Sequence, residues 1–427
     1  MRLKLHHVLV NNQVMLTRFL TPALLDALSD TPAVLLVGAR QVGKSTLTRL
    51  AQPDRVSLTL DDLGVLSAAR SDPQGFVTGL PETVTLDEIQ RAPGLFLPIK
   101  ASIDQGRQQG TGLPGRFLLT GSANVLTLPA VADSLAGRLE VLTLWPLSQG
   151  EIEGQQERFI DLAFGETNPP LTLPGLPESE LLPRLLRGGY PEAQSRTPAR
   201  RRAFFASYLN TILSRDVQAL ANIEGLAHLP NLLGLLAARS SGLLNTADLA
   251  RAAGLPHSTF SRYLTLLDTV YLTLTVPAWA SNHTKRLVKA PKVQLVDTGL
   301  SAHLLGLDET RLKRERTLLG PLLEGFVTLE LLKARGWSEA QPGLYHYRTH
   351  TGQEVDLLLE HPDGRLVGME VKASASPTAS DFRGLKALQA EYPERFHRGV
   401  VLHLGERTIP FGERLHALPV SSLWTWR

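Results

Sequence analysis

A glycine-rich segment near the start of the chain carries the clearest chemical pattern. Residues 38–45 follow the spacing G-x-x-x-x-G-K-[ST]. In this spacing the glycines let successive backbone N–H groups point at phosphate oxygens, the lysine reaches the terminal phosphates, and the hydroxyl ligates Mg²⁺. We therefore predict a nucleoside triphosphate site with ATP and Mg²⁺ as cofactors. The predicted binding residues are Gly38, Ala39, Arg40, Gln41, Val42, Gly43, Lys44, Ser45 and Thr46.

The segments on either side of this loop support the prediction. Ala33–Val37 is a short run of apolar, mostly branched residues, which is typical of a buried strand. Thr46–Ala51 has the composition of a helix. A strand before the loop and a helix after it are the context in which the spacing binds phosphate.

Two carboxylates follow a second apolar run. Thr83–Leu86 is rich in β-branched residues and is followed directly by Asp87 and Glu88. Open α/β sheets place their ligands at the carboxyl ends of the strands. We predict that Asp87 holds Mg²⁺, partly through water, and that Glu88 orients and deprotonates the attacking water. The alternative is that these acids cap a helix.

Two further residues are candidates for catalysis. A strand predicted at Arg116–Thr120 leads to Ser122, which is placed to sense the γ-phosphate or the attacking water. The alternative is a polar turn. Arg138 follows the flexible Gly137 and could stabilise the transferring phosphoryl group in its own subunit or in a neighbour. A surface ion pair is the alternative for this arginine.

These segments together resemble an AAA-type ATPase family in which the ATPase module precedes a C-terminal domain of unknown function. The resemblance runs from Met15 onward and rests on Gly38–Ser45, Thr85–Gln90, Leu118–Ala123, Ser134–Arg138 and the following Leu144-Trp145-Pro146-Leu147. It implies ATP hydrolysis. It also implies a homo-oligomer, such as a hexamer, because an arginine of one subunit can complete the neighbour's site.

A helix-turn-helix pattern lies in the middle of the chain, between Leu232 and Leu267. A cap at Asn245 or Thr246 begins one helix, Ala253–Pro256 forms a turn, and His257 begins the next helix. Predicted core positions are Phe260, Tyr263, Leu264 and Leu267, and the predicted exposed face is His257, Ser258, Thr259, Ser261 and Arg262. A β-rich run at Val270–Val276 would supply the wing of a winged helix.

Basic residues near this module favour DNA as a partner, although winged helices also bind proteins. One group is followed by a helix that precedes the module, and the other lies in a loop that follows the wing. They are Arg196, Arg200, Arg201 and Arg202, and then Lys285, Arg286, Lys289 and Lys292. The alternative for both groups is a solvated, non-binding face.

Carboxylates reappear in the last third of the chain. A hairpin symmetric about Asp363 would place Asp356 opposite Glu370, and period-2 alternation would place Lys372 on the same face as Glu370. Facing carboxylates can share a divalent cation, and a lysine can position water beside it. Glu324 lies on the preceding helix, predicted as an amphipathic helix over residues 320–333.

The D…E-x-K arrangement resembles the PD-(D/E)XK restriction-endonuclease-like fold. The resemblance implies metal and catalytic roles for Glu324, Asp356, Glu370 and Lys372. Two alternatives stay open. The domain could bind DNA without cutting it, or the cluster could be a set of salt bridges on a sheet.

The length, charge and composition of the chain limit these predictions. With 427 residues the chain is too long for one core. A net charge of +3 permits a nucleic-acid partner without requiring one. The absence of cysteine excludes disulfides and thiolate metal sites and fits a cytoplasmic protein. No apolar run approaches the roughly 20 residues that span a bilayer, so we expect no membrane association.

The predicted fold class is α/β, with an AAA-like parallel sheet, then a helical and winged-helix module, then a restriction-endonuclease-like α/β domain. The predicted boundaries are an extension at 1–14, with Met15 as an alternative start, an ATPase at 15–160, a helical lid at 180–225, a winged helix at 226–300, and the nuclease-like domain at 315–427. The predicted function is a DNA-dependent ATPase that remodels or branch-migrates junction DNA in repair or recombination. The alternative is a nucleotide-switched regulator of a protein partner.

Overall fold

The computed structural model describes residues 8–10, 13–124, 137–218, 226–349 and 352–427. The first two strands, β1 (Val8–Val10) and β2 (Gln13–Met15), form an antiparallel pair. Within the described ranges, no helix has both the length and the apolar character needed to cross a membrane.

Five parallel strands form the first sheet. They are β3 (Ala33–Val37), β4 (Val56–Thr59), β5 (Val84–Asp87), β6 (Phe117–Gly121) and β7 (Leu139–Thr143). Their order across the sheet is β4-β5-β6-β3-β7, with every neighbouring pair parallel. Strands β3 and β6 are buried along their whole length, as expected for a parallel sheet that is covered on both faces. The predicted α/β class and parallel sheet are confirmed.

Helices connect the strands of this sheet, as parallel crossovers require. They are α1 (Thr21–Asp30), α2 (Lys44–Ala51), α3 (Leu63–Ser71), α4 (Pro73–Thr78) and α5 (Phe96–Gln109). Helix α3 is capped by Asp62, whose carboxylate accepts from the N–H groups of Gly64 and Val65.

Further helices follow the first sheet. They are α6 (Gln149–Glu153), α7 (Phe159–Ala163), α8 (Glu178–Arg187), α9 (Pro191–Gln194) and α10 (Pro198–Thr211). Helix α10 begins with Thr197 as its cap and a proline in its first turn, and it continues into a π-helical segment at Ile212–Val217. That segment brings the end of the helix to the phosphate loop.

The helix-turn-helix is present as the sequence indicates. Its elements and those that follow are α11 (Leu229–Ala238), α12 (Thr246–Ala252), α13 (His257–Thr269), β8 (Thr273–Val276), α14 (His283–Val288), β9 (Lys292–Leu295), α15 (Thr298–Leu304) and α16 (Glu309–Arg314). The four predicted core residues of α13 are all buried. Asn245 caps α12 by accepting from the N–H of Asp248 at 3.1 Å. Strand β8 pairs antiparallel with β9, so residues 277–291 form a long excursion between the two strands.

The C-terminal region is α/β with a mixed sheet. Its elements are α17 (Leu319–Ala334), β10 (Gly343–Arg348), β11 (Glu354–Glu360), β12 (Leu366–Lys372), α18 (Arg383–Glu391), β13 (Phe396–His403), β14 (Ile409–Pro410), β15 (Leu415–Pro419) and α19 (Ser422–Thr425). The strand order is β10-β11-β12-β13-β15-β14. Leu357 pairs with Met369 and Leu358 with Gly368, which is the register predicted from symmetry about Asp363.

The packing corrects one prediction about α17. It was expected to be amphipathic, but 12 of its 16 residues are buried. The reason is its position: Leu323 and Phe326 pack in the C-terminal core, while Glu330 and Lys333 contact the segment that leaves the first sheet. A helix enclosed on several sides buries polar as well as apolar positions.

Helices from the middle of the chain pack into two different hydrophobic cores. Residues of α10, α11 and α13 share a core with the first sheet, whereas residues of α7 and α8 share a core with α17 and the C-terminal sheet. The predicted lid at 180–225 therefore contributes to both cores. The five boundaries stay predictions, because packing alone does not define folding units.

Candidate nucleotide site and a second carboxylate cluster

The phosphate loop has the backbone shape that its glycines allow. Gly38 has φ 148°, and a Cβ there would lie 2.1 Å from the carbonyl oxygen of Leu144, so only glycine fits. Gly43 has φ 98° and stands just before α2, which begins at Lys44. The loop thus ends on a helix N-terminus, where free N–H groups and the helix dipole favour an anion.

Lys44 is folded over this loop. Its Nζ donates to the carbonyl oxygens of Gly38 and Ala39, each at 2.9 Å, and the side chain is only 5% exposed. Burial lowers the pKa of this ammonium to about 8, against the opposing charges of Glu88 and Asp87. A buried ammonium held only by carbonyls is poised to exchange them for phosphate oxygens.

Ser45 and Asp87 meet beneath the loop, as predicted for Mg²⁺ ligands. The Ser45 hydroxyl donates to both carboxylate oxygens of Asp87, at 3.0 and 3.1 Å. Thr120, at the end of β6, also donates to this carboxylate. Hydroxyl and carboxylate oxygens are the ligands that Mg²⁺ prefers, so these residues fit the ion. Thr120 was missed, although a threonine at the carboxyl end of a predicted strand was a usable signal.

Glu88 and Ser122 form a second group beside these oxygens. The Ser122 hydroxyl donates to Oε2 of Glu88 at 2.9 Å. Gln90 donates to the same oxygen and, at 2.9 Å, to Ser122. Glu88 has a left-handed backbone with φ 60°, which is uncommon for a residue other than glycine and is enriched at functional sites. The sequence predictions included the first two of these residues but not Gln90.

The end of α10 reaches the loop. Arg40, within the phosphate loop, pairs through Nη1 with Asp216 of the π-helical segment at 2.6 Å. Tyr208 of α10 donates to the carbonyl of Arg40 at 3.3 Å. Arg215 lies 3.5 Å from Asp61, which follows β4. The helical segment therefore touches the nucleotide site through charged side chains.

Arg18 connects the loop to the rest of the molecule. Its guanidinium donates to the Val42 carbonyl at 2.7 Å, to the Trp145 carbonyl at 2.6 Å, and to Glu151 at 3.0 Å. Four residues after Trp145, the N–H of Gln149 donates to Glu330 of α17 at 2.8 Å. A short chain of buried hydrogen bonds thus runs from the phosphate loop to the C-terminal region.

Arg138 lies at the opposite end of the sheet. Its carbonyl accepts from Ala33 at 3.3 Å, so it stands beside the start of β3, whereas the loop follows the end of that strand, about 13 Å away at 3.3 Å per residue. Its guanidinium holds Asp104 of α5 at 2.5 and 3.0 Å, the ion pair expected under the alternative. This placement does not fit a role in its own subunit's site, and a role in a neighbour's site stays a prediction.

We expect Arg138→Ala to lower ATP turnover about a thousandfold if this arginine completes a neighbouring site, because such arginines offset transition-state charge. Steady-state phosphate release measures the loss. Mixing Arg138→Ala with Lys44→Ala subunits should restore part of the activity, since each supplies what the other lacks. Arg383→Ala, which removes an exposed arginine from α18, is the matched control. Full activity of the single variant would contradict the role.

The four residues predicted for a nuclease-like site do come together. The N–H of Val371 donates to Asp356 at 2.8 Å, which holds that carboxylate against β12. Lys372 donates to Glu370 at 3.0 Å. Burial and the charge of Asp356 raise the pKa of Glu370 to about 8. Burial and Asp356 likewise raise the pKa of Glu324, to about 7.

A residue outside the prediction occupies the middle of this cluster. Lys292, the first residue of β9, places Nζ 2.8 Å from Glu324 and 2.9 Å from Glu354. Among the residues described, no group of three or more histidines or acids is arranged to hold a metal ion. The carboxylates as they stand therefore do not fit a divalent cation.

Of the four basic residues predicted after the wing to favour DNA, Arg286 and Lys292 are largely buried, Lys289 is exposed, and the side chain of Lys285 lies outside the described residues. Lys292 is 3% exposed inside the cluster, and Arg286 is 9% exposed and pairs with Glu360 at 2.6 Å. Arg286 also lies 5.2 Å from the ring centroid of Trp279. These two cations hold the excursion at 277–291 against the C-terminal sheet and are not available to bind DNA.

Family models match three consecutive parts of the chain. Residues 30–153 match an AAA domain, residues 178–311 match a domain of unknown function (DUF8612), and residues 319–423 match another (DUF4143). The first match coincides with the parallel sheet and the phosphate loop. The likeness of the last two regions to a winged helix and a restriction endonuclease stays a prediction.

Relatives and solved structures extend the comparison. The Walker-type ATPase PABY2304 of Pyrococcus abyssi is 15% identical, with 67% of this chain and 94% of that chain covered and a TM-score of 0.40, too low to bear on function. The uncharacterized proteins Mb2031c of Mycobacterium bovis and Rv2008c of Mycobacterium tuberculosis are each 31% identical over 402 residues, which is 93% of this chain and 82% of theirs. The chain therefore belongs to one family with these two mycobacterial proteins, and its residues 30–153 match the model of an AAA domain.

Proposed function

We propose that this chain hydrolyses ATP with Mg²⁺ and uses the energy to process DNA, as a homo-oligomeric motor that remodels or branch-migrates junctions in repair or recombination. The observation that carries the ATPase part is the grouping of two pairs of side chains at one sheet edge. Ser45 and Asp87 present oxygens 3.0 Å apart, and Glu88 and Ser122 stand beside them, 2.9 Å apart.

The side chains have separate tasks in this proposal. Lys44 would bind the terminal phosphates, and Ser45 with Asp87 would hold Mg²⁺, which supplies charge neutralisation on the phosphates. Glu88 would take the proton of the attacking water. Ser122 and Gln90 would hold the Glu88 carboxylate in place until a γ-phosphate draws one of them away, since both now donate to it.

An arginine-lined cavity supports the DNA part. A cavity of about 640 Å³ lies between α8, α10 and α15, and its lining includes Arg187, Arg201 and Arg202. In the described ranges none of the three forms a side-chain hydrogen bond or an ion pair. Burial, together with the charges of Arg187 and Arg202, lowers the pKa of Arg201. Asp308 and Glu309 also line the cavity, and the charge of Asp297 acts on the pKa of Arg201 in the opposite direction.

Crowded arginines that form no ion pair favour a phosphate ligand. The exposed face of α13 offers a second contact. His257, Ser258 and Arg262 are exposed there, while the apolar side of the helix is buried. A helix that follows a tight turn and shows a polar face is the element that reads a DNA groove in helix-turn-helix proteins.

We expect four-way, single-stranded or duplex DNA to raise ATP turnover, and Arg201→Ala to weaken DNA binding about tenfold and reduce its salt dependence by about one phosphate contact. Fluorescence anisotropy at several salt concentrations measures the binding, and phosphate release measures the turnover. Arg314→Ala, an exposed arginine paired with Glu315, is the matched control. If no DNA structure raises turnover, the motor proposal fails.

One observation favours the alternative of a nucleotide-switched regulator that binds a protein partner. Because Lys292 lies inside the carboxylate cluster, the described residues of the nuclease-like domain include no group of acids arranged to hold a metal ion. The two proposals differ in what stimulates ATP turnover. DNA raises it in the first proposal, whereas only a protein partner would raise it in the second.

A further inference from the structure

Lys292 reaches the C-terminal carboxylates from a different part of the fold. It begins β9, where it pairs with Val276 of β8, directly after the excursion at 277–291. Its ammonium lies 2.8 Å from Glu324 on α17 and 2.9 Å from Glu354 on β11. Asp356 contributes its carbonyl oxygen at 3.4 Å and a carboxylate oxygen at 3.8 Å.

The surroundings of this ammonium resemble a cation site in composition. Carboxylate and carbonyl oxygens surround one buried charge, and these are the atoms that hold a hard divalent ion. The distances of 2.8 and 2.9 Å to Glu324 and Glu354 are those of hydrogen bonds and are longer than the roughly 2.0–2.6 Å of Mg²⁺ or Ca²⁺ ligation. The ammonium and a metal ion would therefore compete for the same oxygens.

Two ammonium groups offset part of the negative charge of the cluster. Glu324, Glu354, Asp356 and Glu370 face the two ammonium groups of Lys292 and Lys372. Lys292 is 3% exposed, which leaves it no competing hydration.

We infer that Lys292 takes the place of a divalent cation in the C-terminal cluster, so that this site is closed to metal ions while β9 is docked. Docking of the lysine and binding of a metal ion exclude each other. Because β9 pairs with β8 of the helix-turn-helix module, the cluster also fastens that module to the C-terminal sheet. The inference depends on neither ATP turnover nor DNA binding.

The test measures Mn²⁺ binding to the full-length chain without nucleotide, with bound Mn²⁺ detected by electron paramagnetic resonance. An Asp87→Asn background removes the carboxylate of the nucleotide site. In this background we expect no tightly bound Mn²⁺. Adding Lys292→Met should create one Mn²⁺ site with at least a tenfold gain in affinity, and adding Asp356→Asn should abolish it. Lys292→Arg keeps the positive charge, so the cluster in this variant should still not bind Mn²⁺.

Two results would overturn the inference. One is a bound Mn²⁺ in the Asp87→Asn protein that disappears with Asp356→Asn, because the site would then be open with its lysine present. The other is a folded Lys292→Met protein, with unchanged ATP binding and thermal unfolding, that gains no Mn²⁺ site. If the methionine variant does not fold, Lys292→Gln replaces it, since glutamine keeps a hydrogen-bond donor without the charge.

Discussion

Lys44→Ala is expected to lower ATP turnover by a factor of about a hundred or more and to weaken ATP binding. The Lys44 ammonium is the charge held within the phosphate loop, 2.9 Å from the carbonyls of Gly38 and Ala39. Removing one preorganised donor from developing phosphate charge typically costs about 10²–10³ in rate. Steady-state phosphate release measures the turnover, and isothermal titration calorimetry measures the binding.

The control for this variant is Lys386→Ala, which removes an exposed lysine from α18, in the C-terminal region. It should leave both measurements unchanged. Circular dichroism should show that Lys44→Ala is folded, since the hydrogen bonds lost are those of the ammonium to the loop carbonyls. Normal turnover in a folded Lys44→Ala protein would show that the site lies elsewhere.

Glu88→Gln is expected to lower ATP turnover by about 10²–10⁴ while ATP binding stays close to that of the parent protein. The amide keeps the size of the side chain but cannot accept the proton of water, and loss of a general base has an effect of this order. Glu88 stands within 2.9 Å of Ser122 and beside the Asp87 carboxylate, where water would approach the γ-phosphate. Single-turnover hydrolysis measures the rate of the chemical step, and a separate binding measurement shows whether ATP affinity has changed.

Glu82→Gln is the matched control, because Glu82 is exposed just before β5 and contacts neither Ser122 nor Gln90. The assignment of the base predicts a large drop in turnover for one variant and none for the other. Equal turnover in the two variants would assign proton removal to another group.

Local patterns were sufficient for the phosphate loop and for the C-terminal hairpin. The loop spacing and its flanking strand and helix lie within about 20 consecutive residues, from Ala33 to Ala51, so propensity and steric limits determine the shape. The hairpin register followed from the turn at Asp363, because side-chain alternation allows no slip without exposing the apolar face. The buried side of α13 followed in the same way from helical spacing.

Contacts between distant segments were not readable in this way. The sequence places Thr120 at a strand end, but only the closeness of β5 and β6 in the sheet brings it to Asp87. Arg138 has the charge expected near a phosphate, yet Leu139 pairs with Ala33 in a parallel register, which places Arg138 beside the start of β3 and away from the loop. The sequence near a residue shows which end of a strand it occupies. Which side chains lie opposite it depends on how all the strands of the sheet are arranged.

The sequence by itself determined that this protein has a phosphate loop, Asp87 and Glu88 at a strand end, and Asp356 opposite Glu370, because each depends on spacing within one or two elements. Only the tertiary structure decided that Lys292 lies among the acids and not on a basic surface. Its partners Glu324 and Glu354 are 32 and 62 positions away, on other elements. A lysine has the same local preferences in both settings, and packing between modules alone sets whether carboxylates or water surround its charge.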